Sequence, residues 1–170
     1  MDRRRLLLMT IVFLSTSLGG HRAYAEEHND SALIKLMGDA KVRLEDGLEA
    51  ASSEGRPISA KFEVENGKLQ LSVYTTKGGK FSEVLVDYTT GKVSKIAEIT
   101  EGDDLSAAKS QNEAMGNATI DLKAAAIISA SQIAGARAVS ITPSLKGGGA
   151  VASITLLDGP QFKTVQQTLF

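Results

Sequence analysis

Residues 58–73, ISAKFEVENGKLQLSV, decide the fold. Ile58, Ala60, Phe62 and Val64 alternate with Ser59, Lys61, Glu63 and Glu65, the period of a strand with one dry and one wet face. Asn66-Gly67 follows, and both residues tolerate positive φ, so the chain reverses in a two-residue hairpin. Leu69, Leu71 and Val73 alternate with Gln70 and Ser72 on the way back. Gly78-Gly79 makes the next turn, residues 81–88 a third strand, and Thr90-Gly91-Lys92 turns the chain again toward Val93–Ile99.

Working outward toward the N-terminus, Ser31 to Glu54 reads as helical. Leu33, Met37, Ala40, Leu44, Leu48 and Ala51 recur at spacings of three and four. Gly38 and Gly47 weaken this helix, and a break falls near 41–43. Gly55-Arg56-Pro57 ends it. The unit is therefore a helix followed by an antiparallel meander, with the helix stripe covering the apolar side of the sheet.

Farther toward the N-terminus, Arg3-Arg4-Arg5, the apolar run Leu6–Leu18 and the small-x-small site Ala23-Tyr24-Ala25 have the order of a secretory signal peptide, cleaved after Ala25. The apolar run is shorter than the roughly 20 residues that span a bilayer. Arg3-Arg4-Arg5-Leu6-Leu7 also fits a twin-arginine signal loosely; the very apolar core and the lack of a cofactor motif favour the general secretory route. The expected location is the periplasm or the outside of the cell, with no integral membrane segment in the processed chain. Removing residues 1–25 takes away four basic side chains and one acidic one, leaving 15 against 19. That balance gives no case for nucleic acid or an anionic membrane surface.

The chemistry is bounded by absences. The chain has no cysteine, and its two histidines, His21 and His28, lie in the signal and in a polar N-terminal tail. Ser-His-Asp and Cys-His catalysis, thiolate chemistry and ordinary zinc sites are thereby excluded from the rest of the chain. Asp103-Asp104 lacks the ligand spacing of a calcium loop and reads as a solvated linker. Gly147-Gly148-Gly149 lacks the Lys-Ser/Thr of a phosphate loop and reads as a hairpin connection. No catalytic residue, cofactor or metal is expected. A carboxylate-only enzyme such as a glycosidase would need two carboxyl groups facing one cleft.

The second half of the chain echoes the first at shifts of 76 to 81. Leu44, Leu48 and Ala51 meet Ile120, Ala124 and Ile127, with Thr119 where a helix cap belongs. Ala60 meets Ala138, and a longer Gly-rich loop carries the shift to 81. There Leu69, Leu71 and Val73 meet Ala150, Ala152 and Ile154, and Phe81 and Val84 meet Phe162 and Val165. Phe170 falls opposite Thr89, before the turn of the first half. The expected fold is α+β: two helix-plus-antiparallel-three-strand units, residues 42–98 and 119–170, preceded by a tail and leading helix at 26–41 and joined by a linker at 99–118.

LEDGLEAA (44–51), the 58–73 hairpin and above all EVLVDYTTGKV (83–93) resemble the PepSY family. The second unit is degenerate and lacks the Asp and the Thr-Gly-Lys. The resemblance implies a small exported α+β module that binds a protein, with a peptidase as the target to be restrained. It brings no catalytic residues; Asp87, Thr90, Gly91 and Lys92 read as turn formers. The alternative is an envelope structural or stress-related protein that self-associates and inhibits nothing.

Residues 42–93 carry fifteen charged side chains and residues 119–170 carry six. The strand Ala150–Leu157 is apolar or weakly polar on both sides. Either the first unit packs its sheet on that surface, or some of it stays open to a partner or a second subunit. Val151 and Leu157 are the candidate partner surface. Exported material should begin at Glu26 on N-terminal sequencing; material still beginning at Met1 would overturn the processing expectation.

Overall fold

The computed structural model describes residues 30–170; the signal-peptide segment lies outside the described residues. Helix α1 spans 30–37 and α2 spans Leu44–Ala51. Strands β1 (Arg56–Glu65), β2 (Lys68–Lys77), β3 (Lys80–Val86) and β4 (Val93–Ile99) follow. Then come α3 (Gly102–Gly116), α4 (Leu122–Ser131), β5 (Arg137–Lys146), β6 (Gly149–Asp158) and β7 (Gln161–Thr168). The described residues form an α+β fold, with four helices and one seven-stranded antiparallel sheet in the order β4-β3-β2-β1-β5-β6-β7. The two meanders do not stack face to face. They join side by side, β1 pairing with β5 at Ala60↔Ile141 and Lys61↔Ser140.

The turns form where backbone freedom allows them. Asn66 (φ 50°) and Gly67 (φ 75°) close the first hairpin, and Gly147 (φ 59°) and Gly148 (φ 83°) close its counterpart. Every Cα pair of the β1–β2 ladder recurs 81 positions later in β5–β6, from Arg56↔Thr76 and Arg137↔Leu157 to Glu65↔Lys68 and Lys146↔Gly149. A register shift interrupts both ladders at the same place, between Pro57 and Ser59 and between Ala138 and Ser140. Ala60 thus corresponds to Ile141, not Ala138.

Paired residues share a sheet face. One face carries Ala60, Phe62, Leu71, Val73 and Val84 in the first half and Ile141, Ala152, Ile154 and Leu156 in the second, all buried. Helices α2 and α4 cover it. Leu44, Gly47, Leu48 and Ala51 are buried on α2; Leu122, Ala125, Ala126 and Ser129, 78 positions on, are buried on α4. The helical shift is therefore 78 rather than 76. Ile127 and Ile128 point outward, while the small residues of α4 face the core. The remaining three positions of shift accumulate in the longer α4 and the turn behind it, not in the Gly-rich hairpin. Asp121, not Thr119, caps α4: its carboxylate accepts from Ala124 N–H at 2.7 Å.

Two further correspondences tie the halves together. The N–H groups of Lys41 and Val42 donate to Tyr88 O at 2.9 and 3.1 Å, and those of Thr119 and Ile120 donate to Leu169 O at 2.7 and 3.0 Å. Arg56 on β1 donates to Met115 O (3.2 Å) at the end of α3, and Arg137 on β5 donates to Met37 O (3.3 Å) at the end of α1. Each half thus supplies the cation that satisfies carbonyls at the C-terminal end of a helix preceding the other half.

A Cβ on Gly47 would lie 2.6 Å from Leu71 Cδ2. Gly47→Ala should therefore destabilise by about 1–3 kcal/mol by overpacking, although alanine is the better helix former. Ser129, at the position corresponding to Ala51, buries a hydroxyl with no hydrogen-bond partner, and Ser129→Ala should stabilise by up to about 1 kcal/mol. Denaturant midpoints of the two variants check both signs.

Candidate partner surface

The sheet's other face is polar in the first half. Ser59, Lys61, Glu63, Gln70, Ser72, Tyr74 and Glu83 share it. Helix α3 lies over this side of the sheet across β1, β5 and β6: Ser59 Oγ donates to Gln111 Oε1 at 2.8 Å, and Arg56 Nη2 donates to Asn112 Oδ1 at 2.7 Å. Residues 99–118 are thus not a bare linker, and Asp103-Asp104 forms the first turn of α3, where carboxylates suit the helix dipole.

Ser72 is fully buried and donates to Glu63 Oε1 at 2.9 Å, while Gln70 Nε2 donates to Ser72 Oγ at 2.9 Å. Lys61 pairs with Glu63 at 2.6 Å. Burial pushes the Glu83 carboxyl up; the nearby Ser72 hydroxyl and Lys61 oppose the rise, and Glu63 adds to it. Burial, followed by the fields of Glu83, Glu63 and Asp104, also pushes the Tyr74 phenol up, so it stays protonated. Its hydroxyl lies 3.5 Å from Glu83 Oε1. A carboxyl with a raised pKa can act as a general acid, but neither Glu83 nor Glu63 lines either of the two open depressions described below.

In the second half the same face carries Ser140, Thr142, Ser144, Val151, Ser153, Thr155, Leu157, Phe162, Thr164 and Gln166. None of these is charged. Val151 stands opposite Ser144 and Thr168, and Leu157 opposite Arg137 and Phe162. Both are half-buried, and Leu157 packs against the core. They occupy the two ends of β6, about 20 Å apart at strand rise, with Ser153 and Thr155 between. The structure therefore does not bring them into one patch. Among the described residues, the most exposed large apolar side chains lie elsewhere, at Ile96, Ile127, Ile128, Leu145 and Phe170.

The two sheet edges differ. β4 bears Lys95 and Glu98, and its ladder with β3 is interrupted between Leu85 and Val86. β7 pairs with β6 in an unbroken register from Val151↔Thr168 to Asp158↔Gln161. Its single charge, Lys163, is matched by Asp158 at 2.5 Å. Charges, prolines and bulges are what ordinarily guard an edge, and β7 has little of this.

One depression, of about 420 Å³, lies at the end of α4 between Arg43, Ile127 and Arg137. Another, of about 410 Å³, lies beside the first hairpin and contains the carboxylates Glu65 and Asp87. Asp87 is committed to its turn: the carboxylate accepts from Thr89 Oγ1 (2.6 Å), Thr89 N–H (2.9 Å) and Thr90 N–H (2.8 Å). These bonds bring its pKa down to about 2, the wrong direction for a general acid. Among the described residues, no cluster of three or more acidic, histidine or cysteine side chains is placed to hold a metal ion. No described helix is long and apolar enough to cross a membrane.

Compared with protein-family models, with characterised proteins and with solved structures, the chain matches none. A sequence signal for the reciprocal arginine contacts does exist: Met37-Gly38-Asp39-Ala40 and Met115-Gly116-Asn117-Ala118, 78 positions apart, mark the two helix ends that Arg137 and Arg56 bind. The open β7 edge has no comparable signature, because pairing is a property of backbones.

Asp87 generates a pH prediction. Because its folded pKa lies below the ordinary 3.8, its stabilisation of the turn is complete above that value and is lost as pH falls through about 2. Thermal midpoints of Asp87→Ala should fall below those of the parent at pH 6, and the gap should narrow toward pH 2. A gap independent of pH would show that the carboxylate charge does not matter.

Proposed function

We propose that this chain is an exported protein-binding module of PepSY type, processed after Ala25 and working in the periplasm or outside the cell. Its two helix-plus-meander units correspond to residues 42–98 and 119–170, the second having lost the Asp and the Thr-Gly-Lys of the first. The recurrence of the whole β1–β2 register 81 positions later supports the tandem arrangement. The single observation that carries the binding role is the β7 edge: an eight-residue, weakly charged strand that, among the described residues, has a neighbouring strand on one side only. The choice of a peptidase as the restrained target rests on the resemblance of residues 44–51, 58–73 and 83–93 to that family. No catalytic role is assigned, and Val151 and Leu157 flank the partner surface rather than form its centre.

A second reading is a self-associating envelope protein. The same edge favours it, since a weakly guarded strand serves a second copy as readily as another protein.

Protein spanning residues 26–170, tethered at native concentration in a periplasmic extract, should retain a partner whose proteolytic activity falls when free protein is added. Retention of no partner overturns the binding role. A stable homo-oligomer by light scattering, with nothing else retained, moves the assignment to the second reading.

A further inference from the structure

Strand β3 shows what a covered version of the β7 edge looks like. β3 and β7 occupy the same register 81 positions apart, Leu71↔Val86 and Lys77↔Lys80 recurring as Ala152↔Gln167 and Asp158↔Gln161. In the first half β4 lies on the outer side of β3, with pairs Phe81↔Ile99, Ser82↔Glu98, Val84↔Ile96 and Val86↔Val93. Phe81 and Val84 are buried there, at 7% and 0% exposure. Their counterparts Phe162 and Val165, with no strand on that side among the described residues, are only half-buried.

We infer that β7 binds an antiparallel strand from its partner, in the register that β4 takes on β3. Carrying that register across places the incoming strand's residues opposite Phe162, Lys163, Val165 and Gln167. The matching chemistry is an aliphatic side chain opposite Phe162, another opposite Val165 and an acceptor carboxylate opposite Lys163, whose ammonium keeps two donors beyond the one that Asp158 takes. β4 itself has this pattern, with Ile99, Ile96 and Glu98 at the corresponding places. The partner segment is therefore an extended peptide of the form aliphatic-x-acidic-aliphatic. Main-chain hydrogen bonds supply the attachment, and the two aliphatic residues complete the cover over Phe162 and Val165. Gln166 and Thr164 add no charge that would repel such a strand.

This inference rests on the protein-binding reading, and its test uses a different probe. The probe is a synthetic peptide of residues 92–100, KVSKIAEIT, added to protein spanning residues 26–170. Backbone amide signals of Phe162 to Gln167 should shift and exchange more slowly on titration, while those of Lys80 to Val86 stay unchanged. A peptide N-methylated at alternate main-chain nitrogens on its pairing edge should bind about tenfold or more weaker, since several hydrogen bonds are lost. A peptide with serine at both isoleucine positions should weaken comparably.

Equal binding of the parent and N-methylated peptides overturns strand pairing. So does perturbation confined to β3, which would mean that the peptide displaces β4. Protection of the β7 amides in a peptide-free dimer identifies a second copy as the occupant and also overturns the proposal. If the tethered protein retains a partner from extract but the peptide neither binds nor competes, the binding role stands and the strand-pairing inference alone falls.

Discussion

The structure depends on the short seam where β1 meets β5. Only Ala60↔Ile141 and Lys61↔Ser140 pair across it, yet it converts two meanders into one sheet. The seam is antiparallel and central, so the strands on either side run outward in mirrored order. Helices α2 and α4 come to lie side by side over it, fastened by Lys123 and Glu49 at 2.8 Å. That ion pair is exposed, and solvent screening leaves it little weight alone. The burial beneath it matters more. Ala60, Ile141 and Ile154 are completely or almost completely shielded, and each of the two isoleucine side chains contributes about 1.5–3 kcal/mol.

Packing over the seam works by pairing small with large. On the buried side of α4 stand Ala125, Ala126, Ser129 and Ala130, and the sheet beneath offers Ile141, Ile154 and Leu156. Over the first half the sizes are partly exchanged: α2 brings Leu44 and Leu48, but Gly47 makes room for Leu71. Interior space is filled to crystal-like density, so a large residue on one layer requires a small one on the other. The result leaves the opposite face free to differ between halves. It is ionic on β1 to β3 and uncharged on β6 and β7, while α3 lies across β1, β5 and β6.

Strand alternation was legible because each strand has one dry face. Ile58 to Val64 and Leu69 to Val73 announce their pairing, and Asn66-Gly67 announces the turn. Helix α3 was not legible, since only Ala108, Ala114 and Met115 are buried along fifteen residues. A helix that rests on a polar sheet face has no apolar stripe to display. The placement of α4 misled for the converse reason: Ile127 and Ile128 are its most hydrophobic residues and point outward, whereas its alanines point in. Val151 and Leu157 were found by counting charge, which reports the character of a face but not the distance between two residues on it. The joining of both meanders in one sheet left no mark, because main-chain groups are the same at every position.

The crossed arginine contacts have a consequence for how the chain reaches this state. Arg56 holds carbonyls that lie beyond the first meander, and Arg137 holds carbonyls that precede it, those of Met37, Ala40 and Val42. Met37 O and Met115 O already accept local bonds, from Ala40 and Ala118 N–H, and each arginine adds a further bond that forms only when both halves are in place. Ala60 must also wait for Ile141, eighty-one positions later, before its strand has a second neighbour. Closing so long a loop is entropically slow, and a first half made alone keeps a bare central strand. The seam and the crossed arginine contacts thus couple the stability of each half to the presence of the other.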